Sequence, residues 1–196
     1  MEIPRALATV GLVVDRAHYE LVQQALGAAR VSVWIGTANV KEMMVEAPLG
    51  TAARARDRYI SVLRTLEDLA RRGVEIRMLH ASEPSRPFRE ELARRQGLRR
   101  PGFEMRQCPR VHLKMIAIDG ALLYLGSANF TGAGLGAKGE GRRNFELGIV
   151  TDDERLLDAT QARFERIWAG GECSGCRLRG ECPRPLLTSA AGCAKG

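Results

Sequence analysis

One short segment of the chain gathers side chains that can transfer protons, carry charge and donate hydrogen bonds. His112 and Lys114 are two positions apart in a predicted strand, so both should project from the same face. A histidine attacks or transfers protons near neutral pH, and the neighbouring lysine supplies a fixed positive charge. Ser127 and Asn129 end the next predicted strand and can return a hydroxyl and an amide to the same place. A phosphate group is bound by such a set of a cation, neutral donors and a nucleophile.

Residues 112–129 read HLKMIAIDGALLYLGSAN, which resembles the active-site motif of the phospholipase D superfamily. That motif is His-x-Lys, four residues, Asp, six residues and Gly-Ser-x-Asn, and every spacing is met. The downstream sequence Asn-Phe-Glu at 144–146 is similar to the family's trailing acidic position. The resemblance covers about residues 17–169. It implies a catalytic set of His112, Lys114, Asn129, Ser127, Glu146 and Asp119.

The resemblance also implies how these side chains act. Ser127 should support the histidine or the phosphate, and Glu146 should orient the His112 imidazole through the ring nitrogen that does not attack. Asp119 is expected to brace its turn rather than to touch substrate. Without the resemblance, Ser127 would be interpreted as a turn residue and Glu146 as a strand-edge charge. The other two histidines, His18 and His80, have no partner pattern and are interpreted as structural.

Enzymes of this superfamily use two histidines. One attacks phosphorus to form a phosphohistidine, the second protonates the leaving oxygen, and water completes hydrolysis without a catalytic metal or other cofactor. The chemistry needs two His-x-Lys motifs, and this sequence contains one. Small members of the family form homodimers with the site across the two-fold axis. The resemblance therefore implies a metal-independent phosphodiesterase that acts as a homodimer.

The charge of the chain favours polyanionic partners such as nucleic acid or anionic lipid. The 196 residues include 30 Lys and Arg against 23 Asp and Glu, a net charge of +7, which attracts polyanions. A basic surface that only keeps the protein in solution is an equal alternative on charge alone. We predict a nuclease, an endonuclease acting on DNA or RNA. Basic residues that can border the site lie before and after the catalytic segment: Arg94, Arg95, Arg99, Arg100, Arg106, Arg110, Lys138, Arg142 and Arg143.

Two other functions would use the same residues. A phospholipid phosphodiesterase or phosphatidyl transferase is one, although no apolar run approaches the roughly 20 residues of a membrane-spanning helix. A nucleic-acid-binding or redox-sensing module with a silent site is the other, and the intact His112, Lys114 and Asn129 count against it. The N-terminal segment lacks the cleavage pattern of a secretory signal, so we expect a cytoplasmic protein without membrane contact.

The cysteines suggest a separate metal site. Cys173, Cys176 and Cys182 form a C-x2-C-x5-C pattern followed by proline, and one more thiolate would complete a four-coordinate site. Cys108, also followed by proline, is the preferred fourth ligand, and Cys193 is the other candidate. The tail resembles the C-terminal half of the iron–sulfur clasp in some CRISPR-associated and recombination nucleases, whose catalytic core is unrelated. We expect a structural 4Fe–4S cluster, with zinc or incidental free thiols as alternatives.

Strand and helix patterns alternate around the catalytic segment. The order strand, helix, strand over residues 31–79 is that of a parallel α/β unit. We therefore predict an α/β fold, one half-unit of the phospholipase D-like sandwich, with a mixed sheet flanked by helices over residues 1–169. A Cys-rich appendage should follow over residues 170–196. Predicted helices span 17–29, 59–72, 85–96 and 153–168, strands span 31–39, 74–79, 111–118, 121–125 and 145–150, and loops span 41–55 and 132–141.

Overall fold

The structure, a computed structural model, describes residues 7–48, 50–56, 58–180, 182–183 and 185–186. The strands are β1 (Gly11–Val14), β2 (Ser32–Thr37), β3 (Met44–Glu46), β4 (Tyr59–Ser61), β5 (Glu75–His80), β6 (Phe103–Gln107), β7 (Met115–Ile118), β8 (Leu122–Gly126) and β9 (Leu147–Thr151). The α-helices are α1 (Ala17–Ala28), α2 (Ala52–Arg56), α3 (Val62–Arg71), α4 (Arg86–Arg94) and α5 (Glu154–Trp168). Short 3-10 helices span Gln96–Arg99 and Glu140–Arg142.

Seven strands form one mixed sheet in the order β1-β9-β8-β7-β2-β5-β6. Strands β2, β5 and β6 are parallel, and the remaining pairs are antiparallel. The carboxyl ends of β2, β5 and β6 therefore meet at one edge of the sheet. The register places the start of β7, the end of β8 and the start of β9 at the same edge. We call it the catalytic edge, because His112, Lys114 and Asn129, which are predicted to be catalytic, flank these strand ends.

Helices pack on both faces of the sheet. On one face, α1 and α3 bury side chains such as Leu26 and Leu63. On the other, Phe164 of α5 stacks on Trp34 of β2, with ring centroids 5.2 Å apart. Full burial of side chains of this size contributes about 1.5–3 kcal/mol each. The prediction of an α/β fold with a mixed sheet flanked by helices is confirmed.

Several predicted boundaries are wrong. The predicted helix 59–72 is divided, because Ser61 accepts a hydrogen bond from the Leu63 amide at 3.1 Å and caps a helix that begins only at Val62. Tyr59–Ser61 is instead strand β4, which pairs with β3 inside the predicted loop 41–55. The edge strand β6 was not predicted. The predicted strand 111–118 begins only at Met115, and residues 111–114 have no regular secondary structure.

The chain after α5 forms successive turns. The amides of Cys173 and Cys176 donate to the carbonyls of Gly170 and Cys173, at 2.9 and 3.3 Å. The predicted appendage 170–196 is described only in part, and Cys193, like residues 1–6, lies outside the described residues. Within the part of the chain that the structure describes, no helix is long and apolar enough to cross a membrane.

Candidate active site

His112 and Lys114 meet at the catalytic edge, just before β7. The Lys114 Nζ lies 3.0 Å from Nδ1 and 3.1 Å from Nε2 of His112, and it donates to the His112 carbonyl at 3.1 Å. His112 is exposed and Lys114 is partly buried. The two side chains were predicted to share a face of a strand, but the irregular segment 111–114 brings them together instead. An imidazole open to solvent beside an ammonium group can attack phosphorus while the cation attracts the phosphate.

Asn129 is fixed against the end of β2. Its Oδ1 accepts hydrogen bonds from the backbone amides of Ala38 and Asn39, both at 3.1 Å, and from the Thr37 hydroxyl at 3.3 Å. These contacts occupy the carbonyl end of the side-chain amide and leave its NH2 end pointing away from them. Asn129 is therefore oriented as a donor at the catalytic edge. The anchoring by residues 37–39 could not be predicted from the sequence, because no local spacing connects them to position 129.

Ser127 and Glu146 are joined across the start of β9. The Ser127 hydroxyl donates to one oxygen of the Glu146 carboxylate and accepts from the Leu147 amide at 3.0 Å. Asn144 donates to the other carboxylate oxygen at 3.0 Å. The resemblance predicted that Glu146 would orient His112, but in this structure the two carboxylate oxygens are bonded to Ser127 and Asn144. Glu146 thus organises the side of the site that faces β9.

A buried histidine, His18, contacts the backbone of Glu146. His18 is completely buried, with Nδ1 2.7 Å from the Tyr124 hydroxyl and Nε2 3.2 Å from the Glu146 carbonyl. Burial, with a contribution from the Glu146 charge, raises the pKa of Tyr124. His18 was interpreted as structural, and the structure gives it the specific role of bracing the backbone at Glu146. Its distance in sequence, 128 residues, left no local signal for this contact.

The close packing around Gly126 of the motif explains why this position is a glycine. A Cβ atom at this position would lie 2.6 Å from the Tyr124 hydroxyl and 2.9 Å from the Leu147 carbonyl oxygen. Real Cβ atoms do not approach other atoms so closely, so any larger residue would push β8 away from β9. Glycine here keeps Ser127 next to the strand that carries Glu146.

Two opposing effects act on the pKa of Lys114. Partial burial lowers the pKa of its ammonium group, and the nearby carboxylate of Glu146 raises it, with a net lowering. Desolvation disfavours the charged form of an amine, whereas a neighbouring negative charge favours it. Glu146 therefore helps to keep Lys114 cationic.

Asp119 lies away from this group. It follows the last residue of β7, at the end of the strand opposite Lys114, and its backbone has a positive φ of 54°. Its carboxylate accepts hydrogen bonds from the amides of Arg30, Val31 and Ser32, at 2.8, 2.7 and 2.8 Å. Burial raises the pKa of Asp119, but these hydrogen bonds outweigh it and hold the pKa below its usual value. The structure thus does not bring Asp119 into the catalytic set, and it supports the expectation of a turn brace.

The basic residues divide between two places. Arg99 and Arg100 precede β6 and therefore lie at the edge of the sheet opposite the catalytic edge. The five-residue strand β6, roughly 15 Å long, separates the two edges at this point. Arg95 pairs with Glu91, and Arg106 donates to the Trp168 carbonyl at 2.7 Å. The expectation that the whole stretch 94–110 borders the site is therefore corrected. Lys138, Arg142 and Arg143 lie in the loop between Asn129 and Glu146, as predicted, and we call this segment the cationic loop.

The predicted cysteine ligands come together in a pocket that is separate from the group at the catalytic edge. Cys108, Cys173, Cys176 and Cys182 line one pocket between the turn before Val111 and the chain after α5. All four are free thiols and partly buried. Among the described residues, no group of three or more His, Cys, Asp or Glu side chains is already arranged to hold a metal ion.

Comparisons with known proteins identify relatives of this fold. A family model described as "Cardiolipin synthase, PLD-like domain" matches residues 22–168. NucT from Helicobacter pylori superposes with a TM-score of 0.58 at 16% identity, over 81% of this chain and 94% of that chain. Nuc, a phospholipase D family member from Salmonella typhimurium, gives 0.56 at 18% identity, over 83% and 95%. A phosphatidylserine synthase from Haemophilus influenzae gives 0.53 at 13% identity, over 85% and 40%. No curated protein matches the chain in sequence.

At these identities the solved structures establish a shared fold, while the family model covers most of the chain. The matched region contains every residue of the motif at 112–129 as well as Glu146. Members of the phospholipase D superfamily are phosphodiesterases or phosphotransferases. The chain belongs to the phospholipase D-like domain family.

Proposed function

We propose that this protein is a metal-independent phosphodiesterase, specifically a nuclease, that acts as a homodimer through a phosphohistidine. The observation that carries the proposal is that the paired His112 and Lys114 lie at the same edge of the sheet as Asn129. A nucleophile, a cation and an amide donor at one place match the requirements of phosphoryl transfer, in which catalysis is largely positioning and charge stabilisation.

The proposed reaction has two steps. A ring nitrogen of His112 bonds to phosphorus while the bond from phosphorus to the leaving oxygen breaks, and a second histidine gives that oxygen its proton. Water then attacks phosphorus, the second histidine takes a proton from the water, and the bond between phosphorus and His112 breaks. Lys114 and the amide of Asn129 stabilise the negative charge on the other phosphate oxygens in both steps.

The second histidine must come from another copy of the chain. The sequence contains three histidines. His18 is completely buried under Glu146, and His80 is 5% exposed, with Nδ1 2.9 Å from the Ser82 carbonyl oxygen. Of these three histidines, all of which lie in the described part of the chain, only His112 is open to a substrate, so we assign the general acid to the partner's His112.

An apolar patch next to the site supports this dimer. Phe145 is fully exposed and Leu147 is 59% exposed, on either side of Glu146. Strand β1, which is the outermost strand of the sheet and pairs with β9, adds Leu12 and Val14 to this patch. Leu12 is 69% exposed and Val14 is 41% exposed, and Val14 lies opposite Leu147 in the register of the two strands. Exposed apolar patches of this kind favour association, and this one would be covered if two copies met at the site.

Dimerisation can be tested at this patch. Phe145→Ser should shift the protein towards monomer in analytical ultracentrifugation and lower its activity in proportion. Val31→Ser is a matched control, because Val31 is 66% exposed but precedes β2 at the edge opposite the site. A wild-type monomer with full activity would contradict the shared site.

The cationic loop supports nucleic acid as the substrate. Lys138 and Arg142 are exposed, and the loop is held beside Asn129 by hydrogen bonds from the Lys138 amide to Gly132 and from the Asn144 amide to Ala133. Cations next to a phosphodiesterase site can bind the phosphates that flank the one being cleaved. Phosphatidyl transfer is a second candidate, favoured by the cardiolipin synthase description of the family and by the exposed Phe145.

One assay separates these functions. The full chain in EDTA is incubated with single- and double-stranded DNA and RNA, and with anionic phospholipid vesicles with and without an alcohol acceptor. We expect cleavage of nucleic acid that His112→Asn reduces by at least about 10⁴-fold. Turnover of lipid alone would favour the transferase. Binding of nucleic acid without cleavage of any substrate would indicate a silent site, and a strict need for magnesium would contradict the proposed chemistry.

A further inference from the structure

Four cysteines from two distant parts of the chain line one pocket outside the active site. Cys108 follows β6, whereas Cys173, Cys176 and Cys182 come after α5, more than 60 residues later. The pocket wall between them includes the apolar side chains of Val111 and Ile167. A fold that brings four free thiols to one partly buried place provides the ligand set of a thiolate metal site.

The backbone fixes the two sides of this pocket in different ways. The Cys108 amide donates to the His80 carbonyl at 2.8 Å, and the Cys108 carbonyl accepts from Val111 at 2.9 Å, so this thiol is anchored to the sheet. Cys173 and Cys176 lie on consecutive turns, in which the Cys176 amide donates to the Cys173 carbonyl at 3.3 Å. A C-x2-C turn of this kind is a common way to present two thiolates to one ion.

The charges around the thiols favour an anionic centre. Arg110 and Arg179 line the same pocket as the four thiols. Four thiolates carry more negative charge than a divalent ion neutralises, so neighbouring guanidinium groups stabilise the loaded site. The Glu172 carboxylate, which also lines the pocket, is paired with Arg163 at 2.6 Å and Arg166 at 2.8 Å. Because this carboxylate is already paired, we expect the four thiols, and not Glu172, to be the metal ligands.

We propose that Cys108, Cys173, Cys176 and Cys182 together bind one metal centre, either a 4Fe–4S cluster or a zinc ion. The four thiols line the pocket without forming a finished coordination sphere, so they must move closer together as the centre binds. Metal binding of this kind is coupled to local folding. Proline after Cys108 and after Cys182 favours the cluster, because Cys-Pro recurs at cluster ligands.

The site would couple the tail to the catalytic segment. Only three residues separate Cys108 from His112, and the hydrogen bond from Val111 to Cys108 lies between them. A centre that holds Cys108 therefore fixes the start of the irregular segment that positions His112. Loss of the centre should loosen that segment, although the catalytic residues themselves bind no metal in the proposed reaction.

Metal content of the full chain tests the site directly. The protein is purified anaerobically, and iron, inorganic sulfide and zinc are measured per chain. Iron and sulfide with broad absorption near roughly 400 nm that dithionite bleaches would identify the cluster. One zinc per chain in a colourless protein would identify the zinc form of the same site. Absence of both metals, even after reconstitution with iron and sulfide or with zinc, would overturn the proposal.

Serine variants test the ligand set. Replacing Cys108, Cys173, Cys176 or Cys182 singly should abolish stoichiometric binding. Cys193→Ser is the matched control and should keep the metal. If Cys193→Ser loses the metal while Cys108→Ser keeps it, the assignment of Cys108 is wrong.

A measurement on the wild-type chain keeps the test valid if these variants do not fold. The loaded protein is alkylated under native conditions, and the labelled cysteines are identified by mass spectrometry. Of the five cysteines, only Cys193 should react quickly. Removal of the metal with a chelator should expose the other four. Equal labelling of all five before and after chelation would contradict the site.

Discussion

The Nζ atom of Lys114 lies 3.0 Å from Nδ1 of His112 and 3.1 Å from its Nε2. A single cation therefore faces both ring nitrogens of His112, the one solvent-exposed histidine among the residues that the structure describes. A phosphate drawn to this cation must approach the imidazole as well. In the proposed reaction this close pairing couples substrate attraction to nucleophilic attack, so we expect activity to depend on both residues.

Asn129→Asp tests the orientation of the amide. The carboxylate can still accept from Ala38 and Asn39, so the melting temperature should stay near that of the wild type, but it donates nothing to a phosphate and adds a negative charge. The kcat should fall by about 10²–10³-fold, as for the loss of a donor that stabilises transition-state charge. A kcat near the wild-type value would show that the amide does not face the substrate.

Glu146→Gln should change the pH dependence of activity. Catalysis requires cationic Lys114, so activity falls as the pH rises through the Lys114 pKa. Burial already lowers that pKa, and removing the opposing Glu146 charge should lower it further. The alkaline limb of kcat/KM on a small diester should therefore move to lower pH. Ser127→Ala is the control, since it breaks the hydrogen bond to Glu146 but keeps the carboxylate, and an equal shift in both variants would refute the electrostatic cause.

Asp119→Ala should affect stability rather than chemistry. It removes a carboxylate that accepts three backbone amides, so the free energy of unfolding should fall by about 2 kcal/mol or more at pH 7. The Asp119 pKa is lowered in the fold, so its stabilisation is lost as the pH falls through that pKa, and the difference should shrink below about pH 4. Denaturant titrations at both pH values measure this. A large loss of kcat in the folded variant would return Asp119 to the catalytic set.

Reversing charges in the cationic loop should weaken nucleic-acid binding. Lys138→Glu with Arg142→Glu should lower DNA affinity and reduce the slope of log affinity against log salt by about one for each phosphate that the loop no longer neutralises. Arg99→Glu with Arg100→Glu changes the net charge equally at the opposite edge of the sheet and should have a much smaller effect. If the control pair weakens binding more, the path of the nucleic acid lies elsewhere on the protein.

The motif that predicts the site is local in sequence, whereas several of the elements that position it depend on long-range packing. The spacing from His112 to Asn129 is local information, and the structure brings these residues together because β7 and β8 form a hairpin. The position of Arg99 and Arg100 depends on strand β6, whose mixture of charged and apolar residues gave no clear strand pattern. The division at Ser61 was missed because the helical periodicity extended back over Tyr59. Contacts such as that of His18 with Glu146 depend on tertiary packing between distant segments and leave no trace in local spacing.

Trapping the intermediate tests the central claim most directly. The enzyme in EDTA is mixed with an excess of a phosphodiester that has a good leaving group, quenched at alkaline pH to preserve the acid-labile phosphorus–nitrogen bond, and digested for mass spectrometry. The account predicts a phosphoryl ester adduct on His112, formed at the rate of the product burst and absent in His112→Asn. Rapid turnover of the diester without any adduct on His112, or turnover that continues in His112→Asn, would contradict it.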